Sequence, residues 1–288
     1  MANDVIFSRK ADNSPLSLAD IYDRAPAALW NIKGENRGAG YQHITTGQAV
    51  EILADYGFRP TQAAQVKSRT RSASLYAQHM LALSNPDYTS DEGTPEIILY
   101  NSGDGKSALR MFAGFYRFIC SNGLVAGSGF EVRARHSKAT AGMFEGMIKD
   151  TAESFPGMLA AVDRLKATSL DIQAEAELSR QAVALRWKAL QPGHMIEGEI
   201  TPGNYATPTT AASLIQVRRA GDLKPDLWTT YNKIQEGLIR GGADTFSVTK
   251  RNPSGVNRKA RPLNSVKAAL EVNRKLWDLV NDRAEVMA

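Results

Sequence analysis

The sequence predicts an α+β fold: an antiparallel sheet with a basic hairpin packed on a central helix, followed by long helices. Three observations carry this prediction. Residues 66–71 alternate small or apolar positions with cations, and 96–100 is a short apolar run, both strand signals. From 138 to 188 the apolar positions recur every three or four residues, as on helices. The order of these segments, helix, basic hairpin, strand, helix, strand and long helices, is that of an antiparallel sheet with helices on one face.

Residues 1–40 carry Asp, Asn, Pro and Gly punctuation and read as an irregular arm with a short helix near "SLADIYDRA". A helix is expected over 46–58, capped by Thr45 or Thr46, with Ala49, Ile52, Leu53 and Tyr56 on one face. The stretch 60–85 reads as a β-hairpin whose one face carries Lys67, Arg69 and Arg71. "EIILY" is the next strand. The spacing of Leu109, Phe112, Ala113, Tyr116, Ile119 and Cys120 predicts a helix over 106–122, with Asn122-Gly123 as its stop. "LVAGSGFEVRARH" returns as a strand, and helices restart near Pro156. Residues 190–210 read as a Gly/Pro/Thr-rich loop or hinge. A helix at "DLWTTYNKIQEGLIRGG", a basic loop or hairpin, and a terminal helix complete the chain. The expected organisation is an arm (1–40), an α+β core (41–190), and a hinge with basic loop and terminal helices (191–288) packed on the core.

Composition excludes several classes. At 288 residues and 43% hydrophobic the chain can bury a core, and no apolar run is long enough to cross a membrane. The first residues lack the apolar segment of a secretory signal, and a lone cysteine, Cys120, fits a reducing cytoplasm. Net charge is +5. Its meaning depends on whether the cations cluster.

Residues 96–112, "EIILYNSGDGKSALRMF", suggest a phosphate-gripping loop. The full pattern needs a glycine five residues before Gly105, where Tyr100 stands, so the loop is too short to curl around phosphates. A helix N-terminus after it would still offer a place for one phosphate. His43, His79, His136 and His194 show no metal-ligand spacing, and Cys120 reads as an inert thiol. The sequence therefore predicts no metal, no cofactor and no catalytic constellation.

Three basic groups remain. Lys67, Arg69 and Arg71 alternate on the expected hairpin, about 7 Å apart in pairs, close to the phosphate spacing of an extended strand. Arg133 and Arg135, with His136 and Lys138, form the second group. Lys250, Arg251, Arg258, Lys259 and Arg261 form the third, threaded with Pro and Gly. Tyr76, Tyr100 and Phe130 lie near the first two groups as stacking faces for bases. Clustered cations interleaved with aromatics point to nucleic acid; solvated sheet faces are the bland alternative.

"YNSGDGKSALRMFAGFYRFICSNGLV" resembles the phage/plasmid-like protein family built on domain of unknown function 932. The resemblance rests on Asn101, Ser102, Asp104, Gly105, Arg117, Cys120, Ser121, Asn122 and Gly123, and on "FEVRARHS", "LWTTYNKIQEGLIRGG" and "NRKLWDLV". It spans roughly 60–285. It implies a mobile-element setting in a bacterial cytoplasm, and it makes Lys106 an accident of the turn, since a small polar residue is usual there. Asn101, Asp104, Asn122 and Gly123 are expected to cap and close the helix, and Arg117 to face a carboxylate or phosphate. The element order is also similar to that of phage single-strand annealing proteins, an analogy of fold alone.

The resulting expectation is a non-enzymatic protein that binds nucleic acid, single-stranded DNA above all, and acts as a homo-oligomer in recombination or annealing. The contacts would come from Lys67, Arg69, Arg71, Tyr76, Lys106, Arg117, Arg133, Arg135, Lys250, Arg251, Arg258, Lys259 and Arg261. The alternatives are an anti-defence or regulatory protein that binds a host protein, and a nucleotide-binding enzyme using the 101–106 loop.

Overall fold

A computed structural model describes residues 8–9, 14–32, 38–66, 70, 74–89, 93–105, 107–117, 131–189, 202–263 and 266–287. The chain divides into two compact units, Met1–Gly157 and Met158–Ala288. The fold class is α+β, as the sequence predicts.

The first unit is built on a six-stranded antiparallel meander. Its strands are β1 (Ser8–Arg9), β2 (Arg59–Gln65), β3 (His79–Ser84), β4 (Gly93–Asn101), β5 (Leu109–Arg117) and β6 (Glu131–Ala134), paired in chain order. Around them run α1 (Leu18–Arg24), α2 (Thr46–Asp55), α3 (Lys138–Ala141) and α4 (Phe144–Glu153), and α5 (Phe155–Ala167) begins at the end of this unit. Helix starts follow local chemistry: Ser17 and Thr45 each form a capping box, with Asp20 and Gln48 reaching back to the cap backbone. Leu81, Leu83, Ile97, Leu99, Leu109, Met111 and Ala113 are buried, and so are Met80, Ala82, Ile98 and Phe112, which alternate with them. The central strands are thus covered on both faces. Helix α4 lies against β5 and β6, and α1 against β2.

That double burial explains the main departure from expectation. Residues 109–117 form strand β5, not the first part of a central helix. A strand buried on both faces loses its period-two signal, and the remaining apolar positions can mimic helical spacing. Residues 118–130, with Cys120, Asn122, Gly123 and Phe130, lie outside the described residues. A hairpin does occupy part of 60–85, as β2 and β3 with Gln65 opposite His79, but β2 ends before Val66, so the alternation expected at 66–71 is not its strand; Lys67, Arg69 and Arg71 lie outside the described residues.

The second unit contains α6 (Ile172–Val183), β7 (Lys188–Ala189), β8 (Gly203–Ala206), α7 (Pro208–Leu214), α8 (Leu227–Ile239), β9 (Asp244–Thr249), β10 (Asn252–Lys259) and α9 (Val266–Met287). Its sheet has the order β10-β9-β8-β7, antiparallel except for the β7–β8 pair. Helix α8 is buried all round from Leu227 to Leu238, with α6, α7 and α9 against it. Such a helix must satisfy its polar side chains internally. Gln235 donates to Asn273 Oδ1 at 2.9 Å, Thr230 to Glu175 at 2.9 Å, and Arg219 forks onto both oxygens of Glu236 at 2.7 Å. Lys233, also buried, forms an ion pair with Glu175.

Candidate nucleic-acid interface

The third basic group folds as the β9–β10 hairpin, resolving the choice between loop and hairpin. A two-residue loop, Lys250-Arg251, turns the chain, and the Asn252 N–H donates to Thr249 Oγ1 at 3.0 Å across it. Past the turn the register slips between Asn252 and Val256. Gly255 makes this bulge possible: its φ is +71°, and a Cβ there would sit 2.2 Å from the Phe246 ring. Pro253, which lacks an N–H, is tolerated because β10 is the edge strand.

The base of this hairpin is fixed and its cations face water. Ala260 N donates to Ala243 O at 2.8 Å and Gly242 N to Ala260 O at 2.9 Å. The Arg186 guanidinium donates to the carbonyls of Leu238 and Arg261, gripping both ends of the segment. Lys250, Arg251, Arg258, Lys259 and Arg261 are all exposed. Lys259 pairs with Asp244 at 2.7 Å, an exposed contact of small energy. No carboxylate pairs with Lys250, Arg251, Arg258 or Arg261 among the described residues. Residues 250–261 hold five cations and no acid.

In the first unit the expected site residues separate. Lys67, Arg69, Arg71 and Lys106 lie outside the described residues. Arg117 ends β5 opposite Gly93, so it stands on a strand and not at a helix boundary. Tyr76 packs on the turn after β4: a Cβ added to Gly103 would lie 3.3 Å from its ring. Arg133 and Arg135 are exposed. His136 departs from its expected place in that basic group; it is 9% exposed and its pKa falls to about 4, mainly through burial.

The turn joining β4 and β5 leads into a strand, so no helix N-terminus follows it and the expected single-phosphate seat there is absent. Asn101 is buried and ties the turn to the core. Its Nδ2 donates to Ile44 O at 2.9 Å and Thr46 Oγ1 at 3.1 Å, while its Oδ1 accepts from Ser102 N at 2.8 Å. Thr46 Oγ1 lies 2.7 Å from His79 Nε2, and His79 Nδ1 lies 2.9 Å from Ala77 O. The carbonyl can only accept, so the imidazole proton is on Nδ1 and Thr46 donates to Nε2. His79 is fully buried and its pKa falls to about 4, chiefly by desolvation. Ile44 N donates to His136 Nδ1 at 3.1 Å, which leaves the His136 proton on Nε2.

His43 stands 5.1 Å from the His136 ring, and Tyr41 5.4 Å from it. Three of the four histidines therefore converge through tertiary contacts that no short motif records. Ser102 is fully buried and its hydroxyl donates to Asp104 Oδ1 at 2.7 Å, with Ser107 Oγ also at 2.7 Å. This network holds the turn in place, and burial within it disfavours the charged form of His79 and His136. Among the described residues no group of three His, Cys, Asp or Glu side chains is placed to hold a metal ion. No helix among them is long and apolar enough to cross a membrane.

A family model described as "Domain of unknown function (DUF932)" matches residues 35–277. The chain is 31% identical over 268 residues to the UPF0380 protein YafZ of Escherichia coli strain K12, covering 91% of this chain and 89% of that one. It is 30% identical to the UPF0380 protein YfjQ of the same strain, with the same coverage. None of these names describes an enzymatic activity. No solved structure matches.

Proposed function

The chain belongs to the DUF932 family, and from that premise we propose that it is a non-enzymatic nucleic-acid-binding protein of a bacterial mobile element, favouring single strands. One observation supports this reading above the rest: four exposed cations without carboxylate partners among the described residues, Lys250, Arg251, Arg258 and Arg261, on and beside a hairpin whose base is held by backbone hydrogen bonds and Arg186. An unpaired cation keeps its full field for a polyanion, and a fixed base limits the entropy lost on binding. Strand geometry spreads the cations over a length of several nucleotides of extended backbone, about 3.3 Å per residue. In this reading the protein acts in the cytoplasm, as an oligomer whose hairpins together lengthen the tract.

The test is fluorescence anisotropy of a labelled single-stranded oligonucleotide, with duplex of the same sequence as competitor. Four phosphate contacts would make affinity fall by about 50-fold between roughly 50 and 200 mM salt. Lys250→Gln with Arg251→Gln should weaken binding alike for every sequence tried. Failure to bind at low salt would overturn the proposal. So would a partner protein retained from host lysate after nuclease treatment through these same residues, which would favour a protein-binding role.

A further inference from the structure

The first unit carries a second group of cations that have no ion-pair partner among the described residues. Tyr100 on β4 pairs with Arg110 on β5, and Arg110 pairs with Arg133 on β6. Residues directly opposite in an antiparallel sheet point to the same face, with Cβ atoms about 5 Å apart. Two arginines therefore stand side by side, an arrangement that repels when nothing lies between them. Arg110 is part-buried; its Nε is buried outright and has no hydrogen-bond acceptor. Neither arginine has an ion-pair partner among the described residues. Arg135, two residues beyond Arg133, is exposed and extends the positive edge.

The Tyr100 side chain completes the row. It is half-buried, and burial raises its pKa, with the Arg110 charge opposing and the Asp104 carboxylate adding to the rise, so the phenol keeps its proton. The face thus offers two guanidinium forks and a phenol hydroxyl, all donors, in one line across three strands. A buried guanidinium edge without an acceptor is costly unless a ligand supplies one. Planar forks in pairs suit an oxyanion with several acceptor oxygens.

The geometry points to a phosphoryl-binding site on the sheet of the first unit, in which Arg110 and Arg133 grip one phosphate group and Tyr100 donates from its flank. The phosphate belongs either to a nucleic-acid backbone or to a small phosphate ester. The site lies in a different unit from the β9–β10 hairpin, so its standing does not depend on that hairpin binding nucleic acid.

Thermal unfolding of the full chain tests this, using inorganic phosphate, dimethyl phosphate as a diester, and a short single-stranded oligonucleotide. Sodium chloride of matched ionic strength serves as the blank. Phosphate or diester at tenfold above its Kd should raise the responding transition by about 3–6 °C, and Arg110→Gln or Arg133→Gln should remove the rise. Arg110→Met should leave the unliganded protein at least as stable as wild type, because it removes a repelled and unsatisfied group. Protection by inorganic phosphate but not by the diester or oligonucleotide identifies a terminal phosphate group, as on a small phosphate ester; protection by diester and oligonucleotide identifies a backbone. The inference fails if no phosphate compound protects, or if Arg110→Gln and Arg133→Gln keep the full response. It also fails if Arg110→Met destabilises the unliganded chain, which would mark Arg110 as structural. A hairpin variant, Lys250→Gln with Arg251→Gln, should retain the phosphate response, so the two proposals can fall separately.

Discussion

Acid should unfold the first unit through its buried histidines. His79 and His136 both fall from 6.5 to about 4 in the folded chain, chiefly because burial penalises the charged ring. Below pH 6.5 the unfolded chain takes up protons that the folded chain refuses. Stability is therefore complete above that pH, and is lost as pH falls from 6.5 through about 4. At pH 5 an unfolded histidine is almost fully protonated and a folded one about a tenth so. The difference amounts to roughly 2 kcal/mol for each ring, on the order of 4 kcal/mol together. That is a large share of the 5–15 kcal/mol typical of a folded domain. His43 is shifted the same way by burial and adds to the loss. Urea unfolding followed by circular dichroism at pH 7.5 and pH 5 measures it. Replacing His79 with Gln removes one titrating ring and should flatten the pH dependence by about half, even though the variant is weaker at neutral pH. Equal stability at the two pH values would refute the reasoning, as would an unchanged drop in a His79→Gln, His136→Gln double variant.

Three substitutions probe other parts of the structure. Asn101→Ala orphans Ile44 O and Ser102 N, leaves the Thr46 hydroxyl with His79 but without its amide donor beneath the β4–β5 turn, and should cost about 2–4 kcal/mol in denaturant unfolding. Gly255→Ala forces a methyl into the Phe246 ring at a positive φ; faster amide exchange throughout β9 and β10, with a loss of about 1–3 kcal/mol, is expected. Glu175→Ala strands the Lys233 ammonium, whose side chain is only 6% exposed, and should cost about 3–5 kcal/mol. Lys233→Met, which leaves the more exposed Glu175 without its partner, should cost less in the same unfolding assay.

Much of the fold was legible because its signals are local. Thr45 sits ahead of an apolar-periodic run with Gln48 three residues on, so the start of α2 could be read from four residues. The glycines closing α8 and the break before α5 are similarly short-range. Strand β5 was illegible because Met111 and Phe112 are both buried, on opposite faces, which erases the alternation. Reading that segment as a helix also hid Arg110, whose neighbours Tyr100 and Arg133 are set by sheet register. The histidine cluster had no sequence signal at all. His43, His79 and His136 stand on separate elements and meet only through tertiary packing. The hairpin at 250–261 was visible as charge, but Lys250-Arg251 lacks the Asn-Gly or Asp-Gly signature of a two-residue turn, so its form was open.

The central claim is that the hairpin cations neutralise phosphates, and the slope of log affinity against log salt measures that number directly. For a single-stranded oligonucleotide, the four cations Lys250, Arg251, Arg258 and Arg261 predict a slope of about −2.8 in wild type. Arg251→Gln with Arg258→Gln should reduce it to about −1.4. A wild-type slope near zero, or one that the double variant leaves unchanged, would contradict the account.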